Sequence, residues 1–268
     1  MGLIALRVKL VECRQAASPS RLPGLDLAVN PYRGCSHACA YCYAQDVTRF
    51  ETSRPWGETI EVKTNIVSRL KAELSKGPRG VYGVGTVTDP YQPAEKEYEL
   101  TRGCLSVLKR HGASISILTK SDLVLRDLDI LSGWGGAEVG ITVTTTDDRI
   151  RRVLEPGAPN AEARIGALRT LVSSGVNVYL MVAPIIPGVS DSRDSLENLV
   201  QVSGDAGVRR IMWDMYNPKP LADARLRSSL GSLGVRSDAQ KTSGARPYAG
   251  EVLRELCDSS GIRLVDAF

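Results

Sequence analysis

Apolar residues follow two periods that alternate along the chain. Short runs in which apolar residues are frequent, as in strands, lie at residues 25–29, 81–86, 114–118, 138–143, 176–183 and 208–215. Between them, apolar side chains recur every three or four residues, as in amphipathic helices, at 64–76, 95–111, 122–132, 161–174 and 191–206. Strands that alternate with helices predict a parallel sheet with right-handed crossovers. A flat doubly wound sheet and a curved partial barrel both fit this alternation.

The two ends of the chain are less regular. Residues 7–13 predict one more strand, and residues 228–247, rich in Ser, Gly and Arg, predict a mobile loop. A helix over 247–258 and a short strand over 262–265 are expected to follow. We therefore expect a single domain over residues 1–268, with a core of about 20–216 and a C-terminal extension of 217–268.

Composition excludes some classes of protein and leaves others open. The chain has 268 residues, 43% of them hydrophobic and 24% charged, which suits a globular protein with a full core. No stretch approaches the ~18 apolar residues of a membrane helix, and the N-terminus lacks the pattern of a signal peptide. We expect a cytoplasmic protein with no membrane partner. The net charge of +4 neither supports nor excludes a nucleic-acid substrate.

Three of the six cysteines lie close together, directly after the first predicted strand. Cys35, Cys39 and Cys42 have the spacing C-x-x-x-C-x-x-C, and thiolates prefer soft metals and iron–sulfur clusters. Three ligands can hold three corners of a [4Fe-4S] cluster and leave the fourth iron open. An electron-transfer cluster usually has four cysteines, and a zinc ribbon has a second C-x-x-C pair. We expect Cys104 and Cys257 to be packing residues, and His37 to be a partly exposed loop residue.

The cysteine motif resembles the signature of the radical S-adenosylmethionine (SAM) superfamily, C-x-x-x-C-x-aromatic-C, in which Tyr41 is the aromatic residue. Further motifs resemble the spore photoproduct lyase-related branch, also called DNA repair photolyase-like. They lie at residues 22–26, 30–35, 39–44, 88–93, 118–121, 155–157, 164–165 and 183–188. The resemblance implies an α/β fold, a partial (β/α)6 barrel of the radical SAM type.

The same resemblance implies a reaction. SAM would bind the open iron of the [4Fe-4S] cluster, and reduced ferredoxin or flavodoxin would supply one electron. Cleavage of SAM would give a 5′-deoxyadenosyl radical that takes hydrogen from a substrate, with nucleic acid or a nucleoside favoured by the branch. Two alternatives stay open: the same chemistry on a peptide or small metabolite, and a non-catalytic iron–sulfur or zinc protein.

Site residues also follow from the resemblance. The cluster ligands would be Cys35, Cys39 and Cys42. Residues expected to bind SAM are Tyr41, Thr86, Thr88, Lys120, Thr144 and Arg164. Several of them stand at the C-terminal ends of predicted strands, where barrel enzymes place their sites.

Tyr41 and Tyr43 match the tyrosines that relay hydrogen in spore photoproduct lyase, so we expect catalytic roles for both. In one respect the chain departs from that enzyme. Thr86 stands about where the lyase has its hydrogen-donating cysteine, and a hydroxyl is a poorer hydrogen-atom donor than a thiol. The resemblance therefore does not extend to thymine-dimer repair.

Overall fold

The computed structural model describes residues 6–50, 53–77, 80–234 and 242–267. The strands are β1 Arg7–Val11, β2 Ala17–Pro19, β3 Leu27–Val29, β4 Tyr32–Arg33, β5 Thr59–Lys63, β6 Val81–Val84, β7 Ser114–Thr119, β8 Ala137–Thr142, β9 Asn177–Ile185, β10 Arg210–Met215 and β11 Arg263–Asp266. The α-helices are α1 Ala44–Thr48, α2 Ile66–Glu73, α3 Glu95–Tyr98, α4 Leu100–Arg110, α5 Leu128–Leu131, α6 Asp148–Leu154, α7 Ala161–Ser173, α8 Arg193–Asp205, α9 Pro220–Gly231 and α10 Thr242–Ser260. Two short 3-10 helices span Leu74–Lys76 and Asp122–Asp127.

Eight strands form the main sheet, in the order β11-β10-β9-β8-β7-β6-β3-β2. Every neighbouring pair is parallel except β2 and β3. Six strands that are adjacent in this sheet are those expected from the apolar runs: β3, β6, β7, β8, β9 and β10. The partial barrel is confirmed. Their residues are apolar because helices cover the parallel sheet, as Ile117, Val139 and Leu180 show by their complete burial.

A second, smaller sheet has the order β1-β5-β4. The strand expected over residues 7–13 is β1, which pairs in parallel with β5. The sequence did not indicate β5 itself. Its pattern of Thr59, Ile60, Glu61, Val62 and Lys63 is too short and too polar to stand out, although Ile60 and Val62 are fully buried.

The helix expected over residues 95–111 is divided in two. Glu99 has a positive φ of 49° and separates α3 from α4. The carboxylate of Glu95 accepts hydrogen bonds from the backbone N–H groups of Thr101 and Arg102, which replace the hydrogen bonds of a continuous helix. The expected helix over 122–132 is a 3-10 helix followed by α5.

The C-terminal extension is more regular than its composition indicates. The expectation of a mobile loop over 228–247 is wrong at both ends of that range, because α9 continues to Gly231 and α10 begins at Thr242; residues 235–241 lie outside the described residues. Ala222, Leu226 and Leu230 recur every fourth position and bury one face of α9. Strand β11 then adds a parallel strand beside β10. In the described ranges no helix is long and apolar enough to cross a membrane.

Candidate functional site

A cavity of about 370 Å³ lies at the C-terminal ends of the barrel strands. Side chains from the cysteine loop, residues 34–42, and from the ends of β6, β7, β8, β9 and β10 meet there. The lining residues that carry polar or sulfur atoms in their side chains are Cys35, His37, Cys39, Tyr41, Cys42, Tyr43, Thr86, Thr88, Asp89, Thr119, Lys120, Thr142, Met181, Asp214, Met215, Tyr216, Asn217 and Lys219. Parallel strands converge at their C-terminal ends, so residues distant in sequence share one site.

Cys35, Cys39 and Cys42 all line this cavity as free thiols. Burial raises the pKa of all three thiols, that of Cys39 to about 12. Thiols with raised pKa values stay protonated at neutral pH unless a metal displaces the proton. Cys104 and Cys257 are completely buried away from the cavity, as expected of packing residues.

The set of donors in the cavity suits an iron–sulfur cluster. Across the described ranges, no group of three or more His, Cys, Asp or Glu side chains is arranged to hold one metal ion. A [4Fe-4S] cluster has a different requirement, because each thiolate binds a different iron atom. Three thiols on one short loop that faces one cavity meet that requirement.

The segment that follows β6 fixes the beginning of the cysteine loop. Gln92 is completely buried; its Oε1 accepts a hydrogen bond of 2.9 Å from the backbone N–H of Ser36, and its Nε2 donates one of 3.2 Å to the carbonyl of Gly34. The hydroxyl of Thr88 donates to the same carbonyl at 2.7 Å. Gly34 has φ of 80°, and a Cβ there would lie 2.5 Å from the carbonyl oxygen of Thr59. Glycine is therefore required directly before Cys35.

The segment at 154–157 fixes the middle of the cysteine loop. The N–H of Gly157 donates to the carbonyl of His37 at 3.0 Å, and the N–H of Ala40 donates to the carbonyl of Leu154 at 2.8 Å. A Cβ on Gly157 would lie 2.2 Å from the carbonyl oxygen of Ser36. The close approach of the two segments thus depends on the absence of a side chain at 157.

Behind the loop, Tyr41 belongs to a buried polar network. Its hydroxyl donates to the carboxylate of Glu155, which also accepts a hydrogen bond of 2.6 Å from Thr144. Arg164 completes the network with an ion pair of 2.5 Å to Glu155. Burial alone would raise the pKa of Glu155, but the charges of Arg164 and Lys120 outweigh it and lower the pKa. A charged carboxylate therefore holds Tyr41 from behind.

The structure separates the residues expected to bind SAM into two groups. Tyr41, Thr86, Thr88 and Lys120 line the cavity. Thr144 and Arg164 do not: both are buried behind Tyr41 and directed at Glu155. Arg164 also donates to the carbonyls of Pro159 and Thr142.

Asp89 joins the ends of two strands. It accepts hydrogen bonds from the Thr119 hydroxyl at 2.6 Å and from the backbone N–H of Lys120 at 2.8 Å. The Nδ1 atom of His37 lies 3.2 Å from the Asp89 carboxylate, close enough for an ion pair but without hydrogen-bond alignment. Burial would raise the pKa of Asp89, but His37 and these hydrogen bonds lower it. The expectation that His37 is partly exposed is wrong, because its 1% exposure places it against Asp89.

Lys120 supplies a positive charge inside the cavity. Its ammonium lies 5.4 Å from the centre of the Tyr41 ring, and no carboxylate of the described residues lies within ion-pair distance of it. Burial would lower its pKa, but the attraction of Cys39, in its thiolate form, and of Glu155 outweighs burial and raises it. Lys120 is therefore a cation available to an anionic group in the cavity.

The hydroxyl of Tyr43 is held at the edge of the cavity. It donates a hydrogen bond of 2.7 Å to the backbone carbonyl of Thr86, and the Tyr43 side chain is 39% exposed. The side chain of Asn30 binds both the Thr86 hydroxyl and the Val87 N–H. Tyr43 and Thr86 are therefore direct neighbours at this edge of the cavity.

The sequence did not indicate several residues of the site, among them the buried supports Gln92, Glu155 and, as the acceptor that joins two strand ends, Asp89. All three lie within the quoted motifs, at 88–93 and 155–157. In the sequence each of these residues comes directly before a proline, a pattern that is equally typical of a turn. Only the fold brings their side chains to the cysteine loop.

Among protein families, the model of the radical SAM superfamily matches residues 29–200. An uncharacterized protein of Methanocaldococcus jannaschii is 37% identical over 181 residues, which is 68% of each chain. An uncharacterized protein of Mycobacterium tuberculosis is 35% identical over 187 residues, or 67% of this chain and 55% of that protein. The chain thus aligns with little more than half of the mycobacterial relative.

Solved structures share the fold at low sequence identity. Spore photoproduct lyase in complex with a dinucleoside spore photoproduct superposes with a TM-score of 0.72 at 15% identity, over 97% of this chain and 82% of that chain. A mutant of that lyase with bound AdoMet and the same ligand superposes with a TM-score of 0.71 at 15% identity, over 96% of this chain and 81% of that chain. Streptococcus suis SuiB bound to S-adenosylmethionine superposes with a TM-score of 0.55 at 10% identity, over 98% of this chain and 50% of that chain.

Proposed function

Because the chain belongs to the radical SAM superfamily, and is therefore an enzyme, we propose that Cys35, Cys39 and Cys42 hold a [4Fe-4S] cluster at which S-adenosylmethionine is reductively cleaved. When bound, the cluster and SAM supply sulfur–carbon bond cleavage and, from it, the group that abstracts hydrogen from the substrate. The chain's own residues bind and orient the cluster and SAM, and they exclude water from the cavity. A reduced ferredoxin or flavodoxin is the proposed electron donor.

One observation carries the proposal: three free thiols from one loop face a single cavity that also holds the ammonium of Lys120, with which no carboxylate of the described residues pairs. Three thiolates leave one iron of the cluster without a protein ligand, as binding of SAM at that iron requires. Lys120, with its raised pKa, supplies the charge for the carboxylate of SAM. Glu155 and Arg164 act on the site through Tyr41, whose ring forms part of the cavity wall.

Thr86 and Thr88 complete the proposed SAM-binding wall. The hydroxyls of both already have partners in the chain, Asn30 for Thr86 and Gly34 with Gln92 for Thr88. Each hydroxyl oxygen can still take part in further hydrogen bonds, because a hydroxyl is one donor and two acceptors. We propose that Thr144, in contrast, orients Glu155 and Tyr41 without touching SAM.

For the substrate, we propose a nucleic acid or a nucleoside. The support is the shared fold with spore photoproduct lyase, whose structure contains a dinucleoside ligand. The chain departs from that enzyme at Thr86, and the proposal therefore concerns the class of substrate and not thymine-dimer repair.

The test is anaerobic reconstitution with iron and sulfide, followed by dithionite and SAM. We expect about four iron atoms per chain, a number set by the proposed cluster, and accumulation of 5′-deoxyadenosine. Bound iron without 5′-deoxyadenosine would contradict the enzymatic proposal and favour a non-catalytic iron–sulfur protein. Transfer of deuterium from labelled oligonucleotides or nucleosides into 5′-deoxyadenosine tests the substrate class, and transfer only from peptides would contradict it.

A further inference from the structure

The helix α9 of the C-terminal extension is attached to the cysteine loop. The carboxylate of Asp46 accepts hydrogen bonds from the backbone N–H groups of Leu221 and Ala222, at 2.9 and 3.2 Å. These N–H groups belong to the first turn of α9, where no residue of the helix can serve as acceptor. Asp46 follows Cys42 by four residues, so a side chain beside the loop caps a helix 175 residues later.

One turn further along α9, Arg225 reaches the third cysteine of the motif. Its Nη2 donates a hydrogen bond of 2.5 Å to the carbonyl of Cys42, and its Nη1 donates one of 2.5 Å to Oε1 of Gln45. The guanidinium lies 5.6 Å from the centre of the Trp56 ring. The planar group thus fixes the backbone of Cys42, the start of α1 and a buried aromatic side chain at once.

Among the described residues, Arg225 makes the one hydrogen bond from a charged side chain to the backbone of the cysteine loop, residues 34–42. The backbone of Gly34 and Ser36 is held by the neutral side chains of Thr88 and Gln92, and that of His37 and Ala40 by backbone groups of residues 154–157. Arg225 is a cation, it is half-buried, and it acts on the end of the motif that these contacts leave free. A fixed positive charge beside a thiolate ligand favours the more negative, reduced state of a cluster and raises its reduction potential.

We infer that Arg225 is a positioning residue of the cluster, which fixes Cys42 by hydrogen bonds and raises the reduction potential by its charge. The inference rests on the proposed function, since it assumes that Cys42 is a cluster ligand. It assigns to the C-terminal extension a direct role in the redox properties of a site formed near the N-terminus.

The experiment separates charge from position. Arg225→Gln removes the charge, and Arg225→Lys keeps the charge but loses the fork that joins Cys42 to Gln45. Arg227→Gln is the matched control, because Arg227 lies on the same helix and pairs only with Asp223 among the residues described. Each variant is reconstituted anaerobically. The readouts are iron content, the half-life of the cluster with a chelator, and the midpoint potential from an EPR-monitored titration.

For Arg225→Gln we expect a lower midpoint potential and a chelator half-life shortened about tenfold, the scale known for residues that support metal ligands. Arg225→Lys should recover the potential but not the half-life, and Arg227→Gln should match the wild type in both. If Arg225→Gln does not fold, the inference is tested by the chelator half-life of Arg225→Lys, which should be shorter than that of the wild type.

A wild-type potential and half-life in Arg225→Gln, or a wild-type half-life in Arg225→Lys, would overturn the inference. Failure of the wild-type protein to take up iron would instead overturn the proposed function. The two failures are thereby distinguishable.

Discussion

The hydroxyl of Tyr41 donates a hydrogen bond to the carboxylate of Glu155, although 114 residues separate the two in sequence. Tyr41 stands between two of the three cysteines, and Arg164 keeps Glu155 charged. The tyrosine is therefore anchored from behind while its ring faces the cavity. Tyr43, two residues later, has an exposed side chain whose hydroxyl contacts Thr86. Of the two tyrosines, Tyr43 has the hydroxyl better placed to meet a substrate.

Removal of any one of Cys35, Cys39 and Cys42 should abolish cluster and catalysis together. In the proposed cluster each cysteine supplies one of three protein ligands, so the alanine variants should hold little iron and form no 5′-deoxyadenosine above background. Iron analysis and chromatography of the products check this. Cys257→Ala is the control, because it removes a buried thiol outside the cavity and should cost only about 1 kcal/mol of stability. Full activity in one of the three variants would refute the assignment of that ligand.

Replacement of Gly157 should displace the cysteine loop. In Gly157→Ala the new Cβ meets the Ser36 carbonyl oxygen at 2.2 Å, and relief of such a clash costs about 1–3 kcal/mol. We expect a lower urea midpoint and a reduced iron content. Gly166→Ala, which meets nothing within 4 Å in the middle of α7, should instead gain about 0.5–1 kcal/mol. Equal stability and iron content in the two variants would contradict the proposed support.

Lys120 should contribute to the binding of SAM. Lys120→Met removes the cavity ammonium, and a charge-assisted hydrogen bond is worth about 1.5–3 kcal/mol, or roughly a ten- to hundredfold weaker affinity. Equilibrium dialysis of SAM against the reconstituted protein measures the change. Lys71→Met, on the exposed face of α2, should leave the affinity unchanged. Unaltered binding in Lys120→Met would place the SAM carboxylate elsewhere.

Acid should destabilise the site through Glu155 and Asp89. Both have a lower pKa in the folded protein than the ordinary values of 4.5 and 3.8, because cations and hydrogen bonds stabilise their charged forms. Each therefore adds stability that is complete above its ordinary pKa and is lost as the pH falls through its folded pKa. Glu155→Gln, which leaves Arg164 buried without a counterion, should cost about 3–5 kcal/mol at neutral pH.

Urea denaturation of the metal-free protein between pH 3 and 7, a range chosen about these ordinary pKa values, checks the acid effect. The stability of Glu155→Gln should fall less steeply than that of the wild type in acid. An unchanged slope would mean that Glu155 is not charged in the fold. Glu255→Gln is the control, because it removes a carboxylate whose ion pair with Arg193 is exposed to solvent and should therefore contribute little to the slope.

Tyr43 should act after SAM cleavage. In Tyr43→Phe the hydroxyl that contacts Thr86 is lost while the ring stays, so we expect 5′-deoxyadenosine at a rate within about twofold of the wild type, since one exposed hydroxyl contributes little to stability. Conversion of substrate should fall by at least about tenfold if the hydroxyl relays hydrogen. Tyr248→Phe, an exposed tyrosine outside the cavity lining, is the control. A parallel loss of both products would indicate a role in cofactor binding instead.

The barrel and the cysteines could be predicted because their signals are local. Strand β9 is apolar from Val178 to Ile185, and Cys35, Cys39 and Cys42 carry their spacing within eight residues. Helix α9 was missed because its repeat of Ala222, Leu226 and Leu230 is short and stands in a stretch rich in Ser and Gly.

The supports of the site could not be predicted for a related reason. A glutamate before proline and glycine has no visible partner until Arg164 and Tyr41 are brought to it by the fold. The break at Glu99 likewise depends on Glu95, which takes the N–H groups that a continuous helix would use. In both cases the deciding interaction joins a side chain to groups that a periodic pattern does not describe.

The cap that Asp46 provides for α9 also orders the events by which the enzyme is made. A ribosome adds roughly 5–20 residues per second, so the partners Leu221 and Ala222 are synthesised about 10–35 s after Asp46. During that interval the three cysteines exist on a nascent chain without the helix that clamps Cys42. We therefore expect two stages in the biogenesis of the enzyme, in which the proposed cluster ligands are translated early and the helix that holds Cys42 is completed late.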